Sequence, residues 1–312
     1  MLEMNQRMFP HALNHRASIL LIGSCFSDEI GRRLVQNGFQ THINPGGTLF
    51  HPLALAKMLD WAIDSQQSLS TLQRADIWLS WDLAGSFYAL TEVQLQQKLM
   101  QLRAELIKAL QESSHLLITF GTSWAYRLKS GQRLVANCHK QSSDHFSKEN
   151  TSVEEMLQVW KELIEKIKLL NPAIKLIFTV SPVRHSRDGL HENNLSKARL
   201  LLLVEQLMTV SNCHYFPAYE IVNDQLRDYS FFKEDGVHPN SKATDYVWDF
   251  FKRYFIEPET QLVLDEWKSL QEAMSHRIMY PDSKAGILHL EQLSKRKETF
   301  FLKYPQFKPI QP

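Results

Sequence analysis

A five-residue apolar run that passes straight into a glycine turn and then an amphipathic segment constrains this chain more than anything else in it. Ser18-Ile19-Leu20-Leu21-Ile22 leads into Gly23-Ser24-Cys25-Phe26-Ser27-Asp28, followed by Glu29-Ile30-Gly31-Arg32-Arg33-Leu34-Val35. The pattern reads as a buried strand, a tight turn and the start of a helix. Apolar runs of the same kind recur at residues 115–120 and 174–180, with shorter ones at 40–44 and 213–216. Between them lie helical patterns at 28–38, 52–66, 91–112, 151–170, 195–210 and 241–255. Thr91-x-x-Gln94 and Thr151-x-x-Glu154 resemble capping boxes at two of the starts. Apolar strands alternating with helices predict a mainly parallel sheet with crossover connections, in a three-layer α/β/α domain of flavodoxin-like winding.

Two hairpins interrupt the alternation, 77–83 with 86–90 around Ala84-Gly85, and 124–128 with 132–136 around Lys129-Ser130-Gly131. Beyond Ile256 the pattern changes to two amphipathic helices, 259–277 and 283–304, joined through Pro281. The expected organisation is an α/β domain over 1–256 and a helical extension over 257–312. The extension packs on the domain or on a second subunit, which makes a homodimer one expected assembly.

A chain of 312 residues, 44% hydrophobic, can bury a sizeable core. Its net charge of +1 argues against an extended nucleic-acid footprint. Three irregularly spaced cysteines, Cys25, Cys138 and Cys213, suggest neither a disulfide framework nor a zinc finger. Residues 1–7 hold no apolar stretch of a secretory leader, and no later run reaches membrane-spanning length. A reducing, cytoplasmic setting, no membrane partner and no metal or cofactor are expected.

A nucleophile at the Gly23-Ser24-Cys25 turn sits where open α/β folds place their ligands. The helix behind it offers N–H groups and partial positive charge to an oxyanion or a thiolate. The plain alternative is that Ser24 caps the helix and Cys25 is a small buried hydrophobe. Far downstream, Glu234-Asp235-Gly236-Val237-His238-Pro239-Asn240 places a carboxylate three residues before a histidine. Such a turn can aim an imidazole while the carboxylate orients it, as serine and thiol hydrolases require.

Several blocks together resemble the GSCFA family, a branch related to SGNH (GDSL-like) hydrolases. They are Gly23-Ser24-Cys25-Phe26, with Ser27 in place of the family's Ala, Asn44-Pro45-Gly46-Gly47-Thr48, Phe120-Gly121-Thr122-Ser123-Trp124-Ala125-Tyr126, Val135-Ala136-Asn137-Cys138-His139-Lys140, Ser181-Pro182-Val183-Arg184-His185 and Asp235-Gly236-Val237-His238-Pro239-Asn240. The resemblance implies an SGNH-type fold and hydrolysis or transfer of an acyl group. The substrate class it suggests is a small-molecule or carbohydrate ester, such as an O-acetylated glycan.

Its register puts Cys25 at the nucleophile position and Ser24 where relatives carry Asp; a one-residue shift makes Ser24 the nucleophile instead. A helix N-terminus and a nearby histidine both lower a thiol pKa, which leans toward Cys25. His238 becomes the general base and Asp235 its orienting partner. Gly46 or Gly47 supplies an oxyanion N–H by the same resemblance. Ser123 stands where relatives carry an oxyanion Asn, and Asn137 is the alternative donor. Asn137 and His139 are expected in the substrate pocket, and Arg184 binds a carboxylate or phosphate or forms a structural ion pair. The competing reading is a ligand-binding module that has lost esterase activity, because the Asp before the nucleophile and the third-block Asn are both missing.

Overall fold

The computed structural model describes residues 4, 6–185, 187 and 189–307, so of the N-terminal seven only 4, 6 and 7 fall within it. The first apolar run forms β1 (Ser18–Gly23), and the turn after it opens directly into α1 (Cys25–Gln36). The helix thus begins three residues earlier than the pattern predicts, because Ser24 caps it. Next come β2 (Gln40–Ile43), α2 (Pro52–Ile63), the short strands β3 (Thr71–Arg74), β4 (Ile77–Ser80) and β5 (Tyr88–Ala89), and α3 (Glu92–Glu112). The second apolar run is β6 (His115–Phe120), followed by β7 (Trp124–Leu128), β8 (Arg133–Val135), β9 (Phe146–Asn150) and α4 (Val153–Leu170). The third is β10 (Lys175–Val180), then α5 (Leu190–Leu207), β11 (Cys213–Tyr215), the single turn α6 (Ala218–Glu220) and α7 (Ser241–Phe255). Two further helices, α8 (Pro258–Ser275) and α9 (Lys284–Lys303), complete the described chain.

The central sheet runs β11-β10-β6-β1-β2 with every neighbouring pair parallel. Counting these strands in chain order gives 2-1-3-4-5, the flavodoxin-like winding, whose switch point lies between β1 and β6. Side chains alternate across the sheet. Leu20, Ile22, Leu116 and Phe178 join the core under α2 to α5, whereas Ile19, Leu21, Leu117 and Ile177 join the one under α1 and α7. Both faces are covered, which is why these strands are near-continuous apolar runs rather than alternating ones.

Both expected hairpins form, but each gains a third strand: the small antiparallel sheets are β3-β4-β5 and β8-β7-β9. The added strands, Thr71–Arg74 and Phe146–Asn150, are mostly polar and only partly buried, so they carry no hydrophobic signature. Thr91 caps α3 as expected, its oxygen accepting from the Gln94 N–H at 3.2 Å. The cap of α4 is Ser152 rather than Thr151, since Ser152 accepts from the Glu155 N–H at 3.1 Å while Thr151 turns inward.

The C-terminal helices pack on the α1/α7 side. Trp267 donates from Nε1 to the Gln36 carbonyl at 2.9 Å and stacks on Phe300 with centroids 5.2 Å apart. Trp267, Phe300 and Phe307 belong to the same apolar cluster as Ile19 and Phe251. Among the described residues no helix is long and apolar enough to cross a membrane.

Candidate active site

The end of β1 is built around one close approach. Gly23 has φ +133°, and a Cβ there would lie 2.3 Å from the Thr119 carbonyl oxygen on β6, so only glycine fits. Asn44, just past β2, locks the turn from the other side. Its Oδ1 accepts the Gly23 N–H at 2.8 Å and its Nδ2 donates to Asp28 at 2.7 Å. Thr48 donates to the other Asp28 oxygen at 3.1 Å. The Gly23-Ser24-Cys25 turn is therefore held by backbone sterics and by one polar relay.

The two adjacent candidates on this turn have different environments. Ser24 is 1% exposed, and its Oγ accepts from the Phe26 N–H at 3.3 Å as the cap of α1. Cys25, one residue on, is exposed and lines a pocket of about 590 Å³. Its thiol is pushed up, not down: loss of solvation is the largest influence and Asp28 the next. The hydrogen bond from its own backbone, Lys197 and Lys233 act in the opposite sense without prevailing. That rise is opposite to the expected helix-lowered thiol, because lost solvation and then the Asp28 carboxylate outweigh the lowering influences.

His238 lines the same pocket, on the loop between β11 and α7. That loop is pinned locally. Asn240 donates to the Ser230 carbonyl at 2.7 Å and accepts from the Ala243 N–H at 3.2 Å, capping α7. Asp235 accepts the Val237 and His238 N–H groups, both at 2.9 Å, and its other oxygen lies 2.6 Å from His238 Nδ1. The backbone N–H bonds, more than the imidazole, hold the Asp235 carboxyl down to about 2. An ionised Asp235 can only accept, so Nδ1 carries the proton, and in the neutral ring Nε2 is the acceptor nitrogen. Nε2 has no partner among the described residues.

The remaining expected site residues divide sharply. Arg184 lines the pocket, with a long contact of 3.4 Å to Asn194 Oδ1. Gly46 and Gly47 do not. The Gly47 N–H is taken by the Asn44 carbonyl at 2.7 Å. A Cβ on Gly46 would meet the Met58 sulfur at 2.5 Å, and one on Gly47, whose φ is +80°, would meet the Ala84 Cβ at 2.4 Å. Ser123 is fully buried, with its hydroxyl on Asn150 and its N–H on Ser196 Oγ at 2.8 Å. Asn137 accepts the His139 N–H at 2.7 Å in a local turn, and His139 is buried on the Ser80 carbonyl at 2.7 Å. These five residues make packing and turn contacts and do not line the pocket.

The pocket walls include Trp124 and Tyr126 from β7, Val135 from β8, Phe50, Val183 and Val237, so one of the small sheets contributes part of its apolar lining. Lys148 on β9 lies over the Trp124 ring, 4.5 Å from its centroid. Two further residues, one on the pocket and one beneath it in α5, escaped sequence reading. His51 lines the pocket and caps α2, accepting from the Leu53 N–H at 3.1 Å; burial pushes it down to about 4. Lys197 is buried in α5. Neither sits in a motif; a histidine just before Pro52 was the one signal available for His51.

An open α/β/α sheet with a cysteine turn at its switch point and an Asp-His loop facing it defines the class of protein. The chain belongs to the GSCFA family, whose model matches residues 18–251. No curated protein matches it. Among solved structures it is similar to a candidate platelet activating factor from Streptococcus pneumonia, with 12% identity over 76% of this chain and 83% of that one and a TM-score of 0.41. It is also similar to a carbohydrate esterase family 3 protein from Talaromyces cellulolyticus, at 8% identity over 80% and 99% of the two chains with a TM-score of 0.37. A family 3 carbohydrate esterase of Clostridium thermocellum shares 11% identity over 80% and 98%, with a TM-score of 0.36.

Proposed function

We propose that this protein is an acyl-ester hydrolase or acyltransferase that works through a thioester on Cys25. The observation that carries the reading is the Asp235–His238 pair, 2.6 Å apart, on the pocket that also exposes Cys25. His238 Nε2 takes the thiol proton as the sulfur attacks the ester carbonyl carbon. The carbon–oxygen bond to the alcohol breaks, and the alcohol leaves with that proton. Water, or a second hydroxyl, then attacks the thioester with His238 again as base; the acid or the new ester departs and the thiol is restored. A thiol pushed up by loss of solvation and by Asp28 needs such a base within the step.

An apolar pocket edged by Arg184, Trp124 and Tyr126 suits a small-molecule or carbohydrate ester. The buried, cap-bound hydroxyl of Ser24 supports the thiol over the serine register. The second reading is a ligand-binding module on the same scaffold. Its support is that Ser123, Gly46 and Gly47 all lie off the pocket, leaving the oxyanion donors unfilled by the expected residues.

The test is trapping with p-nitrophenyl and thioester acyl donors, read by intact mass. An acyl adduct on wild type and Ser24→Ala, absent from Cys25→Ala and stalled in His238→Ala, is the expected result. Wild type that never acylates across a panel of short and long donors sinks the enzyme reading and leaves the binding module.

A further inference from the structure

Lys197 is 1% exposed, on a stripe of α5 that is otherwise Asn193, Ser196 and the leucines and valine of the core. A lysine buried this deeply is costly unless its amine is engaged. Here Nζ donates to the Gly121 carbonyl at 2.6 Å and to the Ser181 carbonyl at 2.8 Å. Those carbonyls are the first beyond β6 and β10. The strand registers set Gly23 beside Thr119, and Thr119 beside Thr179. The segments leaving β6 and β10 therefore meet at this amine, on the sheet edge where β1 runs into Cys25. Ser196 reinforces the join, its Oγ receiving the Ser123 N–H. No carboxylate pairs with Lys197 among the described residues.

We propose that Lys197 is a positioning residue for the nucleophile turn: its buried amine ties the ends of β6 and β10 into one floor and holds the positive charge that favours an anion on Cys25. The inference rests on the reading of Cys25 as nucleophile only for its catalytic consequence. The charge interaction is reciprocal. Burial pushes Lys197 down to about 7, while a charge on Cys25 pulls it up, and Lys197 in turn pulls the thiol down. Amine with thiol, and ammonium with thiolate, have the same net charge, so moving a proton from Cys25 to Lys197 leaves the net charge of the site unchanged. Other charged groups act on the pair. Arg184, from the loop after β10, lowers Lys197; Asp28 on α1 raises the thiol; and Lys233, ahead of His238, lowers it.

The experiment is the rate of Cys25 alkylation by iodoacetamide from pH 5.5 to 10, read by peptide mass, in a His238→Ala background that removes the other base. The expected profile has an inflection near neutral pH before the thiol's own rise. Adding Lys197→Gln, which keeps two N–H donors for the two carbonyls but no charge, removes that inflection and slows alkylation at pH 7.5 about tenfold, one pKa unit being a tenfold change in population. A Lys197→Gln profile that superimposes on its parent while the variant keeps the parent's melting temperature overturns the proposal. If Lys197→Gln does not fold, the His238→Ala profile decides alone: a single inflection above pH 9 overturns the proposal, and a neutral inflection supports it. Failure of acyl transfer leaves this profile readable, so the two readings fall separately.

Discussion

The two halves of the candidate site are held by different physics. Cys25 stands on the end of a buried strand, fixed by a glycine that fits against β6 and by Asn44 and Asp28 behind it. His238 stands on an exposed loop, fixed by an Asx-type turn whose bonds span three residues. The first half is coupled to the whole core, and its geometry stands or falls with the fold. The second is assembled locally and can be lost while the fold remains. The local turn leaves His238 near solvent, whereas the strand end holds Cys25 against the sheet.

The largest expected effect that tests this contrast is Gly23→Ala. The added Cβ meets a β6 backbone oxygen, and with φ at +133° the substitution costs roughly 3 kcal/mol or more. Urea melts should show a protein largely unfolded or far less stable; a loss below about 1 kcal/mol would mean that β1 shifts easily and the rigid-half account is wrong. Asp235→Asn is expected to do the reverse. It should slow acyl transfer about a hundredfold or more by allowing the wrong imidazole tautomer, with a melting temperature close to wild type. A large melting shift with intact rate would invert the contrast. Ser24→Ala should cost about 1 kcal/mol through the lost cap while still forming the acyl adduct.

The subtlest expected effect is in pH. Burial pushes His51 and His115 down to about 4. Folded chains then leave these groups neutral where unfolded chains protonate them, so stability is full above about pH 6.5 and falls as pH drops toward 4. Asp235 works in the same direction at lower pH, its contribution lost only as pH falls through about 2. Denaturation curves between pH 8 and 4 should therefore show the core weakening while the Asp235–His238 bond, followed by the imidazole NMR resonances, persists. A stability flat across that range would show that those two histidines reach solvent.

How much of this was legible beforehand follows the same division. The runs at 18–22, 115–120 and 174–180 marked the sheet because strands covered on both faces must be apolar throughout. Asp235 and His238 were legible because their contact is within one turn of chain. The strands at 71–74 and 146–150 were not, since their partners, not their composition, make them strands. The oxyanion expectations on Gly46, Gly47 and Ser123 rested on resemblance, and those residues have packing roles here.

Local sequence by itself determined the strand-turn-helix at Cys25, the Asp235–His238 turn and most helix caps, because each closes within a few residues. Tertiary structure alone decided which of Ser24 and Cys25 faces the pocket and that Lys197 from α5 reaches two strand ends. Those outcomes depend on groups far apart in the chain, and desolvation and charge act through space rather than along it.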